Sequence, residues 1–250
     1  MTKMLGRSQN LTRPTDPPRL PDGVRIYAIT DIHGCSDLLR QMFNVIDADL
    51  ARSPARDSIQ VFLGDYIDRG PDSRGTIDLL IERSKRHKTI FLRGNHELLL
   101  LLALTDPARF LEWKRFGGLQ TLLSYGIKPT NHPAKAEVLE LIEALAHAIP
   151  KTHFDFLRAL RPSFCCGDFF FVHAGVRPGV PLDRQRDEDL LWIRDEFLES
   201  DQYFGKYVVH GHSPVLAPDI RLNRINIDTG AYATGNLTLL SIQGASILAL

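Results

Sequence analysis

Three cysteines in 250 residues, two of them adjacent at Cys165 and Cys166, cannot make a disulfide framework. The chain therefore reads as made for a reducing compartment, the cytoplasm. Net charge is missing too: 30 Lys and Arg against 30 Asp and Glu leave a formal balance of zero. That excludes a global field drawing in nucleic acid or an anionic membrane, though not a local basic site. Long apolar runs are absent as well. The longest, Leu98–Leu104, has seven residues, far short of the roughly 20 that span a bilayer. The first 23 residues, rich in Pro and polar side chains, carry no apolar stretch for a signal peptide. They read as a loosely ordered tail ahead of one domain over 24–250.

What is present is a repeated design. Apolar runs end abruptly in His, Asp or Asn: RIYAITDIHG (25–34), SIQVFLGDYIDRG (58–70), TIFLRGNHE (89–97), FFFVHAG (169–175) and YVVHGH (207–212). Between the first three lie helical stripes, one of them at Leu38, Met42, Val45 and Ile46. Residues 98–161 have helical periodicity and no strand signal, so they read as a helical insertion. After Pro162 the pattern turns to strands, opening with a hairpin at 163–173 around Gly167-Asp168. One helix is expected around 187–199 and one strand over 221–227. Alternating strands and helices followed by strands predict an α/β fold: two mixed β-sheets packed as a sandwich, with flanking helices.

The strand tips supply a mixed oxygen and imidazole donor set: Asp31, His33, Asp65, Asn95, His173 and His210. Such donors suit divalent ions of the manganese type, with iron or zinc as alternatives. A pair of ions needs a shared ligand, and a carboxylate with two oxygens is suited to bridge. The basic run Lys85–Lys88 reads as a solvated helix end, and His87, His132, His147 and His153 as surface or structural residues. Cys35, beside the first tip, is not a nucleophile in this reading.

In order and spacing, TDIHG (30–34), GDYIDRG (64–70), RGNHE (93–97), HAG (173–175) and GHS (211–213) resemble the signature set of PPP-type metallophosphatases. These are serine/threonine phosphoprotein phosphatases, here of the bacterial, lambda-phage-like branch, and the likeness covers about 25–243. It implies the metallo-dependent phosphatase fold and two divalent metals. Asp31, His33 and Asp65 would hold one; Asp65, Asn95, His173 and His210 the other. Phosphorus would be attacked directly by a hydroxide between the metals. The resemblance further makes His96 the general acid, Asp68 the group that orients it, and Arg69 and Arg194 the phosphate clamps. His212 is left as a neighbour of a ligand, and Asp228 as a carboxylate that orients a metal-binding His or shapes a turn.

The activity implied is hydrolysis of phosphoserine and phosphothreonine, with phosphotyrosine allowed, on a phosphoprotein or phosphopeptide partner. A diadenosine-polyphosphate hydrolase shares the motifs; Tyr66, Trp113 and Trp192 would be its candidates for stacking on adenine. A catalytically inactive metal- or phosphate-binding module is the third alternative. One departure stands out, Thr30 where the family has Gly. If that position needs positive φ, or lies against a metal or a loop, the Cβ and hydroxyl of Thr30 would displace Asp31, and Thr30→Gly would raise metal affinity or turnover.

Overall fold

The computed structural model describes residues 14–130 and 134–249. Its strands are β1 (Val24–Ile29), β2 (Asp57–Phe62), β3 (Lys88–Phe91), β4 (Ser163–Cys166), β5 (Phe169–Val172), β6 (Tyr207–His210), β7 (Asp219–Ile220), β8 (Arg224–Asn226), β9 (Leu239–Gln243) and β10 (Ser246–Ala249). They form two mixed sheets, ordered β10-β9-β1-β2-β3 and β4-β5-β6-β8-β7. Within the first, β1, β2 and β3 run parallel, joined through helices α1 (Ser36–Arg52) and α2 (Ser73–Ser84). Within the second, β5, β6 and β8 run parallel. The carboxyl ends of a parallel sheet are where open α/β folds place their sites. The expected α/β sandwich is the observed fold.

Strand alternation explains the layering. Ile26, Ala28, Ile59 and Val61 on one sheet and Phe169, Phe171, Val209 and Ile225 on the other share one buried cluster, the filling of the sandwich. The opposite parity faces outward. Tyr27, Ile29 and Phe62 pack under α1 and α2, in a cluster with Leu39, Phe43, Ile77 and Leu80. Phe170, Val172 and Val208 pack with Leu190 and Phe197 from α8 (Asp187–Trp192) and α9 (Asp195–Leu198).

The insertion comprises α3 (Asn95–Ala103), α4 (Pro107–Trp113), a π turn over Lys114–Gly118, α5 (Leu119–Ser124), α6 (Lys135–Ala148) and α7 (Lys151–Arg158). Asp106 caps α4 by accepting from the Ala108 amide, and Pro107 fills its first turn. Leu99, Phe110, Trp113, Leu122, Leu145 and Leu157 join the same cluster as the outer face of the first sheet, so the insertion is built into the main core.

Three boundaries differ from expectation. Of the tail read at 1–23, residues 1–13 lie outside the described residues, as does His132, but Leu20 is 1% exposed in the sandwich core. Its amide donates to Gly244, so the ordered domain starts before residue 24. The strand expected over 221–227 is instead the antiparallel pair β7 and β8, turned at 221–223. The helix expected over 187–199 breaks at Ile193–Arg194, where Arg194 leaves helical geometry at φ −131°, ψ −102°. Among the described residues, no helix is long and apolar enough to cross a membrane.

Candidate metal centre and its acid–base pair

The ends of β1, β2, β3, β5 and β6 converge because their loops stay laced together past the strands. His33 and Gly34 donate backbone N–H groups to Asp65 and Tyr66, both at 2.8 Å, and Gly211 donates to His173 at 2.8 Å. Glu97 fastens the β2 and β3 tips. Its buried carboxylate accepts from the amides of Asp65 (3.0 Å), Tyr66 (2.8 Å) and Gly94 (2.9 Å). The two tips approach so closely that a Cβ on Gly94 would lie 2.1 Å from Asp65 Oδ1. Only glycine fits there.

The loops are strained where the functional side chains sit. Among the described residues six non-glycines have positive φ: Asp31, His33, Asp65, Asp68, Arg69 and His212, at 45–71°. Each such residue costs about 1–3 kcal/mol and persists only when its surroundings hold it. All six lie at this one site. The sharp left-handed turns point successive side chains inward, which ordinary strand geometry would not do.

The result is a cluster of buried donors. Ligand atoms of His33, Asp65 and His96 lie within 4.8 Å of one another, as do those of Asp65, His173 and His212. Asp65 Oδ2 is 3.5 Å from His33 Nε2, its Oδ1 is 3.5 Å from His173 Nε2, and Asn95 Oδ1 is 2.9 Å from that same nitrogen. Asp31 receives the His212 amide at 3.0 Å. Asp65 therefore stands between two groups of ligands, where a bridging carboxylate belongs.

Divalent cations fit this set on chemical grounds. Four carboxylates, Asp31, Asp65, Glu97 and Asp228, are packed away from water. Burial pushes each one's pKa up, and for Asp31 and Asp65 the negative neighbours push further. Burial also drives His33 and His212 downward, so both imidazoles are neutral and able to ligate. His212 Nε2 has no hydrogen-bond partner. A cation pair would offset the buried negative charge and occupy these lone pairs. Asp31, His33 and Asp65 would hold one ion; Asp65, Asn95, His173 and His212 the other.

His210 does not join them, which corrects the ligand set expected from sequence. It is the last residue of β6, still paired with Asn226, and has the outward parity of Val208. Its ring meets Phe197 edge-on at 4.9 Å, and its Nδ1 sits 3.1 Å from the Gly211 carbonyl oxygen. The parity of Val209 in the sandwich core was the available signal: if Val209 faces in, His210 faces out. His212, two residues on and beyond the strand end, takes the site position instead.

Beside the donors lies a hydrogen-bonded pair. His96 Nδ1 is 2.7 Å from Asp68 Oδ2, and both side chains are fully buried. The insertion anchors Asp68: Trp113 Nε1 donates to Oδ2 at 2.8 Å, and Thr121 Oγ1 donates to Oδ1 at 2.6 Å. Burial pushes Asp68 up to about 7 and His96 down. His96 Nε2, 3.8 Å from Asp65 Oδ2, has no hydrogen-bond partner.

Two guanidinium groups flank the donors. Arg69 places Nη1 3.0 Å from His33 Nε2 and stacks on the Tyr232 ring at 5.0 Å, while its amide donates to the Gly117 carbonyl. Arg194, exposed at the α8 break, donates Nη1 to Ser213 Oγ at 3.2 Å, beside His212. Asp228 presses on Asp31 electrostatically while its Oδ1 takes the Gly230 amide, so it serves turn and site together. Glu97, Thr121 and Tyr232 are site residues that sequence reasoning passed over, while Trp113 was considered only for stacking on adenine and His212 only as a neighbour of a ligand. Thr30 has no positive φ; the left-handed turn begins at Asp31, so the position does not demand glycine.

Relatives align with most of the chain. Serine/threonine-protein phosphatase 1 of Salmonella typhimurium is 29% identical, over 87% of this chain and 92% of its own. The asymmetrical bis(5'-nucleosyl)-tetraphosphatase PrpE of Halalkalibacterium halodurans is 27% identical, over 85% and 87%. Among solved structures, a putative diadenosine tetraphosphatase superposes with a TM-score of 0.61 at 20% identity, covering 90% of this chain and 92% of that one. The cold-active protein-tyrosine phosphatase of a psychrophilic Shewanella gives 0.59 at 14%, covering 96% and 86%. The calcineurin-like phosphoesterase model matches residues 24–233, which hold every candidate ligand, the Asp68–His96 pair and both arginines, and the chain belongs to that family.

Proposed function

We propose that this protein is a metal-dependent phosphoester hydrolase in which His96 protonates the leaving oxygen and Asp68 holds His96 for that task. The observation that carries the reading is the 2.7 Å Asp68–His96 contact, with the other imidazole nitrogen unpartnered beside Asp65. Bound cations, with Mn²⁺ preferred for mixed O/N donors and iron or zinc as alternatives, would supply Lewis acidity and an activated water. The protein's own groups do the rest. Arg69 and Arg194 grip the phosphoryl oxygens with planar forks. His96 gives its Nε2 proton to the ester oxygen as the P–O bond breaks, which is worth about 10²–10⁴ in rate.

The first substrate reading is a phosphoserine or phosphothreonine monoester on a protein, with phosphotyrosine allowed. Metals and arginines read the phosphoryl group alone, and Arg194 stands exposed where a side chain of another protein can reach it. A second reading, a dinucleoside polyphosphate, draws support from aromatics beside the donors. Tyr232, 43% exposed, is 5.4 Å from His33; Trp192 is 6.1 Å from His212 and 6.4 Å from Phe116, itself 42% exposed. A base stacked on such a ring gains about 1–3 kcal/mol. Tyr66 and Trp113, the other two aromatics considered, are fully buried and cannot stack on a ligand.

The test compares Mn²⁺-reconstituted protein on phosphoserine, phosphothreonine and phosphotyrosine peptides with diadenosine tetraphosphate, His96→Asn serving as control. Faster peptide turnover supports the first reading. A large kcat/KM margin for the dinucleotide keeps the chemistry and replaces the substrate. No turnover on either overturns the proposal.

A further inference from the structure

Thr30 does more than occupy a glycine's place. Its Oγ1 donates to Asp31 Oδ2 at 2.5 Å, and the pair is buried, at 2% exposure each. The same carboxylate accepts the His212 backbone amide, at 3.0 Å through Oδ2 and 3.3 Å through Oδ1. Gly211 lies flat against both side chains: a Cβ there would fall 2.1 Å from Asp31 Oδ2, 2.4 Å from Thr30 Oγ1 and 2.7 Å from Thr30 Cγ2. The missing Cβ of Gly211 is the space into which the Thr30 side chain fits.

We propose that Thr30 is a positioning residue that fixes the Asp31 carboxylate and, through it, the loop carrying His212. The inference rests on the reading of Asp31 and His212 as metal ligands. Oδ2 takes the hydroxyl and the nearer reach of the His212 amide, which set the carboxylate's rotation and leave Oδ1, with only the longer reach of that amide, as the less occupied oxygen. Asp31 and His212 both hold left-handed backbone, at φ 48° and 66°, so each needs outside contacts to keep its conformation. One hydrogen-bonded chain, Thr30 hydroxyl to Asp31 carboxylate to His212 amide, supplies them. It also joins ligands assigned to different ions, so loss of the hydroxyl disturbs both halves of the site. This reverses the expectation that Thr30→Gly would improve the centre.

Three variants separate the hydroxyl from the shape. Thr30→Ser keeps the donor, Thr30→Val keeps the volume without it, and Thr30→Gly removes both. Titration of metal-free protein with Mn²⁺ alone, followed by calorimetry, should show Thr30→Val and Thr30→Gly weakened about 10–100-fold, as loss of an outer partner of a ligand does. Thr30→Ser should stay within about 3-fold of the native protein. Hydrogen–deuterium exchange of the 209–214 segment in metal-free protein should speed up in Thr30→Val and Thr30→Gly, and not in Thr30→Ser. Native affinity in Thr30→Val, or no recovery in Thr30→Ser, overturns the proposal. Should the native protein take up no Mn²⁺, the functional reading fails, and exchange alone still decides whether the hydroxyl holds the loop: unchanged protection in Thr30→Val overturns it.

Discussion

Trp113 donates its indole N–H to Asp68 Oδ2, the same oxygen that faces His96, at 2.8 Å. An insertion helix thus reaches under the acid–base pair and fixes the carboxylate from behind. On the proposed role of His96 as the acid for the leaving group, its removal should matter most when that group is a poor one. His96→Asn is expected to lower kcat about 10²–10⁴-fold on an alkyl phosphate and far less on p-nitrophenyl phosphate. Trp113→Phe, which leaves the carboxylate in place without its indole partner, should show the same leaving-group pattern at roughly a tenfold cost. An equal loss on both substrates for either variant would place the defect in binding or folding instead.

Glu97 contacts no reacting atom, yet three backbone amides of the strand tips converge on it. Glu97→Gln keeps the size and turns one oxygen into an N–H₂ group that faces an amide donor. Buried hydrogen bonds to a charged group are worth about 1.5–3 kcal/mol each. Loss of about 3 kcal/mol in all is expected, which for a chain of this length means a Tm lower by roughly 6–12 °C. Thermal unfolding monitored by circular dichroism measures it. A shift under about 2 °C would show that the tips are held by other contacts.

His210 and His212 offer a direct comparison, since they lie two residues apart and face opposite ways. His210 is wedged against Phe197, on the helix side of the second sheet. His212 reaches the Asp65–His173 group. In Mn²⁺ titrations His212→Asn should weaken one of two binding events by more than about 100-fold, beyond the usual cost of losing an outer partner. His210→Phe should leave both events unchanged. The reverse pattern would restore the ligand assignment read from sequence.

Much of this candidate site is legible in the sequence because its donors come within a few residues beyond apolar runs. Asp31, His33, Asp65 and His173 all lie past the last paired residue of their strands. His210 fails for the same reason the others succeed: strand pairing continues through it, so alternation governs its direction. Trp113, Thr121 and Tyr232 were illegible on different grounds. They meet Asp68, His33 and Arg69 from elements far along the chain, and the spacing of a helix says nothing about what it will pack against. Fold class came through because the parity of Ile26, Ala28, Phe169 and Phe171 encodes two faces per sheet. The split of 221–227 did not, since Asn223 bonds two backbone carbonyls of the 200–202 segment, a long-range contact.

Acid should unfold the protein in two separable steps. Burial holds His210 down at about 3, so it stays neutral in the fold while an unfolded chain takes up a proton below about 6.5. A depressed imidazole contributes stability that is complete above pH 6.5 and is lost as pH falls toward 3. Asp189 behaves differently. It is 4% exposed and receives Arg177 Nε and Nη2 at 2.9 and 2.6 Å, which hold its carboxyl below the ordinary 3.8. That stability is present above about pH 4 and goes only as pH drops through the depressed value. His210→Phe, which keeps the ring contact with Phe197, should make the decline between pH 6.5 and about 3 shallower, while buried His33, His96 and His212 supply the remainder. Asp189→Asn should lower stability at neutral pH and reduce acid sensitivity below pH 4, with Asp47 and Asp49 supplying the remainder. Urea midpoints measured at half-unit steps from pH 7.5 to 3 resolve the two. A decline above pH 4 that persists unchanged in His210→Phe would transfer that step to the other buried imidazoles, His33, His96 and His212.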